Sequence, residues 1–201
     1  LTSIGKAAKD AGNNSLLLIL EDDMQLAPVY FQWLLGMIDH YAPNPYCRDT
    51  DLVGFSLSPI VFQEIFFPFS FWDADLELQG KYIPKTSRHS AYLTSVPSSW
   101  GAAYWSDHWN RFDAFVKERI KPPHYNLTAE SSSLMVVPTD IAPEYLHIRG
   151  AAPNRWTKSW KRFMIDFMYA QGKVMLYPNL PGRKALAKAL QADGVHGISR
   201  N

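Results

Sequence analysis

Five consecutive apolar residues, Leu16-Leu17-Leu18-Ile19-Leu20, end abruptly at three carboxylates, Glu21-Asp22-Asp23. An apolar run without alternation is the pattern of a strand covered on both faces, as in a parallel sheet between layers of helices. Ligands of open α/β sheets sit outside the carboxyl ends of the strands. Carboxylates placed there can hold a hard divalent cation, Mg2+ or Mn2+, through oxygen ligands. Two accounts of the triplet stay open at this point. Either it is a metal site, or Asp22 and Asp23 merely favour the positive end of a following helix, whose first turn is announced by Ala27-Pro28.

With 201 residues, 47% of them hydrophobic and 14% aromatic, the chain can bury one sizeable core, so a single domain over 1–201 is expected. Its 20 basic and 19 acidic residues leave a formal charge of +1, too little to draw nucleic acid or an anionic membrane from a distance. The single Cys47 excludes an internal disulfide framework and reads as a buried thiol. No apolar run approaches the roughly 18 residues of a membrane span, and the opening residues do not read as a signal peptide. They read as a helix, Leu1 to Ala11, that begins without Met, so upstream sequence is expected. The sequons Asn13-Asn14-Ser15 and Asn126-Leu127-Thr128 would bear glycans only in a secretory lumen.

After Gly12-Asn13-Asn14 comes the apolar strand, then a helix over about Ala27 to Tyr41 that Pro43 and Pro45 end. Leu52 to Leu57 reads as a further strand, so strand, helix and strand follow one another as in a βαβ crossover. Between Pro59 and Pro97 the pattern loosens into short aromatic pieces, read as hairpin-like strands and a long functional loop. Ser106-Asp107 supplies an N-cap for a helix to Ile120 whose apolar face holds Trp109, Phe112, Phe115 and Val116. Leu134 to Pro138 reads as a short strand. A last helix, Asn154 to Gln171, is closed by Gly172 and followed by a strand to Pro178.

Trp156, Trp160, Phe163 and Phe167 recur at helical spacing, which makes one aromatic face of that last helix, a core face before a substrate platform. Lys158 and Arg162 are one turn apart with Lys161 beside them, a group suited either to a diphosphate or to a solvated basic face. Trp100-Gly101 offers a flat apolar surface next to a residue that lets backbone approach a ligand, or else a simple turn into a packed strand. His196, between glycines in Gly194-Val195-His196-Gly197, suits a loop presenting one metal ligand; a surface histidine is the plainer account.

Together these residues resemble the metal-binding half of a GT-A glycosyltransferase, and most closely the inverting N-acetylglucosaminyltransferases that begin complex N-glycan branching. The likeness rests on Leu18-Ile19-Leu20-Glu21-Asp22-Asp23-Met24-Gln25-Leu26-Ala27-Pro28, a buried strand ending in a DXD-type acidic triplet and followed by a helix entered through Ala-Pro. Ser99-Trp100-Gly101-Ala102-Ala103-Tyr104-Trp105 with Trp109 is similar to that family's Gly-Trp segment and following helix, and Gly194 to Gly197 to its late His loop.

The resemblance implies a GT-A-like, Rossmann-like α/β fold with a mostly parallel sheet flanked by helices, here lacking the N-terminal nucleotide-binding units. It implies a glycosyltransferase moving a sugar from a nucleotide donor, UDP-linked, to a hydroxyl of a glycan or other acceptor. Asp23 would hold Mn2+ (or Mg2+), with His196 as a further ligand, while Glu21 and Asp22 orient ribose or sugar and Lys158, Lys161 and Arg162 meet the phosphates. Trp100 and Gly101 would belong to the catalytic site, and the aromatic stretch from Phe62 to Trp72 would border the acceptor site. It further implies a Golgi or other secretory lumen, with membrane attachment only through sequence outside this chain. The chain departs from the family at the general base: an acidic pair is expected beside the late Trp, where it reads Trp160-Lys161-Arg162. Asp166, one turn on, is the substitute, with Asp107 and Glu130 also available. Other functions for the same residues are a non-catalytic carbohydrate-binding domain and a metal-dependent nucleotidyltransferase or phosphohydrolase.

Overall fold

The computed structural model describes residues 2–12, 15–41, 51–62, 65, 71–78, 90–119, 151, 153 and 159–190. In chain order the elements are α1 (Thr2–Asp10), β1 (Leu16–Ile19), β2 (Met24–Leu26), α2 (Tyr30–Tyr41), β3 (Leu52–Ser56) and α3 (Ala74–Leu78). They continue with β4 (Ala91–Thr94), β5 (Ala102–Trp105), α4 (Ser106–Arg119), α5 (Lys161–Ala170), β6 (Val174–Pro178), a 3-10 turn (Pro181–Arg183) and β7 (Ala187–Ala189). The expected strand at Leu134 to Pro138 lies outside the described residues, as do Cys47 and both sequon asparagines.

Five strands form one sheet in the order β1-β5-β3-β6-β4, and β2 pairs with β7 in a separate two-stranded ribbon. Alternation along the strands divides the core into two faces. Leu52, Phe55, Ala103, Trp105 and Leu176 pack under α2 through Leu34. Val53, Ala102, Tyr104 and Met175 pack on the other face with Ala8 of α1, Trp109 and Phe112 of α4, and Met164 and Phe167 of α5. The fold is therefore mixed α/β, with helices covering both sides of the sheet.

The expected preponderance of parallel pairing is corrected by the topology. Among the described strands of the sheet only β3 and β6 pair in parallel; β1–β5, β3–β5 and β4–β6 are antiparallel. The strand–helix–strand unit β1-α2-β3 does have two codirectional strands, but β5 lies between them, running back. Its entry explains the reversal: Gly101 has φ +64 and turns the chain at the sheet edge. The central position of β5 requires a second glycine, since a Cβ on Gly54 would lie 2.0 Å from the Ala103 carbonyl oxygen. No larger residue fits where β3 bulges against β6, between Leu52 and Gly54.

Nor is β1 covered on both faces. Among the described residues it is an outer strand with one neighbour, and Leu18 keeps 37% of its surface exposed. The helix-capping account of the triplet also fails. Strand β2 follows the carboxylates and α2 begins only at Tyr30, so Glu21 to Met24 is a turn between strands, closed by Met24 N–H donating to the Glu21 carbonyl at 3.3 Å.

The aromatic face read on the last helix is core where the structure describes it. Trp160 lies 5.1 Å from Trp109 and 6.0 Å from Tyr104, and Phe167 lies 5.8 Å from Phe112, all inclined edge-to-face or tilted. The helix itself starts at Lys161; Trp156 is outside the described residues. Ser106 opens α4 as expected, but its hydroxyl donates to the Gly12 carbonyl at 2.7 Å and accepts from Ser15 N–H at 3.3 Å. That side chain ties the α1–β1 connection to α4 instead of capping the helix.

Candidate functional site

Because β1, β3 and β6 point the same way, one edge of the sheet gathers their carboxyl ends and the start of β5. The acidic turn 21–23, Leu57-Ser58, Asn179 and Trp100-Gly101 therefore share that edge. The β2–β7 ribbon is stapled across it by backbone hydrogen bonds. Leu57 donates to the Gly101 carbonyl at 2.8 Å and accepts from Leu186 and Ala187 at 2.8 and 3.1 Å. The buried Ser58 hydroxyl sits between the carbonyls of Trp100, at 3.0 Å, and Ala187. At the far end of the ribbon Leu190 N–H donates to the Asp23 carbonyl at 2.7 Å.

Within the acidic turn the three carboxylates differ. Glu21 and Asp22 are exposed, whereas Asp23 is half-buried and its Oδ1 is shielded from solvent with no hydrogen-bond partner. Burying an anionic oxygen without a donor is costly, which is the situation a bound cation would relieve. Asp23 therefore fits a hard cation. Among the described residues no cluster of three or more His, Cys, Asp or Glu side chains converges, so Asp23 would be one ligand of several. His196 lies outside the described residues, as does Lys158.

Beside the ribbon, at the same sheet edge, is a small cleft that opens to solvent. Its walls are built from segments that the core tyrosines hold. Tyr104 hydroxyl donates to the Ser98 carbonyl at 2.7 Å, Tyr177 hydroxyl donates to the Val96 carbonyl at 2.9 Å, and Ile60 N–H donates to the Tyr92 hydroxyl at 3.0 Å. Burial pushes the Tyr104 and Tyr92 hydroxyls far above the ordinary phenol range, so both stay neutral donors or acceptors. These tyrosines face the core from β4, β5 and β6, and no motif spacing singles them out.

Trp100 lines the mouth of this cavity and is 45% exposed, a flat surface available to a ligand. Gly101 next to it is explained by packing. A Cβ there would lie 2.7 Å from the Ala187 Cβ, so what approaches Gly101 closely is the ribbon. Lys161, the first residue of α5, also lines the cavity and is only 6% exposed. Arg162 instead sets its guanidinium 4.8 Å from the Phe163 ring centre. The two cations therefore occupy different surroundings.

Asp166 is 4% exposed in α5 and ion-paired with Arg119 of α4 at 3.5 Å. It is absent from the cavity lining, which among the described residues contains no carboxylate. Of the expected site residues, the fold thus brings Trp100, Gly101 and Lys161 together beside the ribbon that carries Asp23, and sets Asp166 in a helix interface. Comparison with known proteins adds no relative: no family model, curated protein or solved structure matches the chain.

Proposed function

We propose that this chain is a metal-dependent glycosyltransferase of GT-A type that moves a sugar from a nucleotide diphosphate donor to an acceptor hydroxyl. The observation that carries the reading is Asp23, a buried carboxylate oxygen without a donor, placed in an acidic turn at the carboxyl edge of the sheet. A divalent cation held there supplies Lewis-acid stabilisation of the charge that collects on the diphosphate leaving group. The chain's own residues do the remaining work. Asp23 binds, Glu21 and Asp22 lie exposed beside it toward ribose or sugar, and Trp100 offers the sugar a flat wall. Arg162, and Lys158 outside the described residues, are the cations proposed for the phosphates.

Transfer forms a bond between the acceptor oxygen and the anomeric carbon and breaks the bond from that carbon to the diphosphate oxygen. The diphosphate departs with the electron pair, and the acceptor proton passes to a base. Three residue steps along the chain separate Ala187, bonded to Ser58, from Leu190, bonded to Asp23. At strand rise that is about 10 Å, room for a diphosphate end and a sugar end of one donor.

Calorimetric titration of UDP with and without Mn2+, on the wild type and on Asp23→Ala, tests the reading. Binding that requires both the metal and Asp23 is the expected result; equal binding by the folded variant would refute it. A second reading, a carbohydrate-binding domain without turnover, is favoured by a cleft lining that among the described residues has no carboxylate, and by Asp166 being held in an ion pair. It requires sugar binding with no consumption of donor.

A further inference from the structure

We infer that the outer edge of β1 is a dimerisation edge: a second copy of this chain lays its own β1 antiparallel against the first, across a two-fold axis at Leu18, and joins the two sheets into one. This goes beyond the transferase reading and does not depend on it. Strand β1 pairs with β5 from Leu16↔Trp105 to Ile19↔Ala102, and the Ser15 carbonyl continues that ladder by accepting from Ser106 N–H at 2.8 Å. Hydrogen-bonded pairs alternate along an antiparallel ladder, so Ser15, Leu17 and Ile19 turn their N–H and C=O groups toward β5. Leu16, Leu18 and Leu20 turn theirs the other way, where no described strand lies. Such an edge is a template for a further strand, and monomeric proteins commonly blunt it with a charge, a proline or a bulge. Leu16 to Leu20 carries neither charge nor proline, and the pairing of β1 with β5 runs without a bulge.

The sequence of this edge is complementary to itself. With Leu18 opposite Leu18, Leu16 meets Leu20 and Leu17 meets Ile19, so every facing pair is apolar and both faces of the sheet stay in register. The outward backbone groups match in the same register. Leu16 with Leu20, Leu18 with Leu18 and Leu20 with Leu16 become the hydrogen-bonded pairs, each exchanging two bonds, about six in all. Leu18 and Leu20, now 37% and 42% exposed, would be covered by the partner's leucines. Charge selects the direction of the copy. Antiparallel pairing carries the two Glu21-Asp22-Asp23 turns to opposite ends of the joint, whereas a parallel copy would set like charges side by side. The contact is isologous and small, below the roughly 1,200 Å2 of a standard interface, so the dimer forms reversibly and depends on concentration.

The test is sedimentation velocity on the whole chain from about 5 to about 500 µM, with reductant so that Cys47 cannot link copies. The expected result is a shift from monomer to dimer. Hydrogen exchange followed by NMR over the same series should show the Leu16, Leu18 and Leu20 amides gaining protection as concentration rises, while those of Leu17 and Ile19 are protected throughout. Leu18→Lys and Leu18→Glu each place like charges across the axis and should stay monomeric; an equal mixture of the two should associate more strongly than either alone. A monomer at every concentration, or Leu18→Lys and Leu18→Glu that associate as the wild type does, would overturn the inference. So would protection of all five amides independent of concentration, which would put another segment of the same chain on this edge. The wild-type series decides the question even where neither variant folds.

Discussion

Replacing Gly101 by alanine probes whether the staple between sheet and ribbon is what positions the site. Two costs arise at once. Alanine at φ +64 occupies the left-handed region, unfavourable by about 1–2 kcal/mol for a residue with a Cβ. The new Cβ would also sit 2.7 Å from that of Ala187, well inside the roughly 3.5–4.0 Å at which carbons attract. Relieving the overlap by moving the ribbon is overpacking, typically about 1–3 kcal/mol. Gly101→Ala should therefore destabilise the fold by about 2–5 kcal/mol, read as a lower urea midpoint by tryptophan fluorescence, or a melting point reduced by about 5–15 °C for a chain of this size. The contributions separate in a double-mutant cycle. Ala187→Gly on the Gly101→Ala background removes the overlap but not the backbone strain, so a coupling of about 1–3 kcal/mol is expected. Full additivity, or a single variant within about 0.5 kcal/mol of the wild type, would refute the packing account and return Gly101 to the role of a ligand platform.

Two further outcomes follow from ion pairs outside the cavity. The Asp73 carboxyl lies below its ordinary pKa: burial pushes it up, but the hydrogen bond from Arg183 and the N–H groups of Asp75 and Leu76 outweigh that. A carboxylate with a lowered folded pKa adds stability that is present above its unfolded value of 3.8 and is lost as pH falls through the folded value. Arg183→Gln should accordingly lower stability at pH 7 and matter progressively less below about pH 4, checked by urea melts across that range. Asp166→Asn keeps the shape of the side chain but removes the pairing with Arg119, and should cost about 1–3 kcal/mol in thermal or urea melts while leaving Mn2+-dependent UDP binding unchanged. Loss of UDP binding in a folded variant would move Asp166 into the site.

The local features of this chain were legible where the cause is itself local. The helices at Thr2–Asp10, Tyr30–Tyr41 and Ser106–Arg119 match the apolar spacing, and β3 and β6 match their apolar runs. The aromatic residues Trp160 and Phe167 were readable as a core face because helical spacing alone puts them on one side. Strands β2, β4 and β7 and the short α3 were not legible, because they are three to five residues long and held by partners far along the chain. The pairing of Met24 with Ala189 has no counterpart in any sequence window.

The acidic triplet was visible as a place where carboxylates collect at a strand end. Sequence periodicity cannot report which strand lies beside which. For that reason β1 read as a covered strand, though it is an edge strand, and the triplet read equally well as a helix cap or a metal site. Tertiary structure decided the place of β1 and put a strand, not a helix, after the triplet, through contacts across long separations: β5 inserted between β1 and β3, and the ribbon was stapled to Leu57 and Ser58. The core tyrosines then fixed the wall that Lys161 faces. The sequence by itself determined which residues are apolar, which bear charge and where the chain can turn. The assembly of Trp100, Lys161 and the Asp23 ribbon along one edge arose only when β5 ran back through the middle of the sheet, because residues remote in sequence become neighbours only when backbone hydrogen bonding and packing set their register.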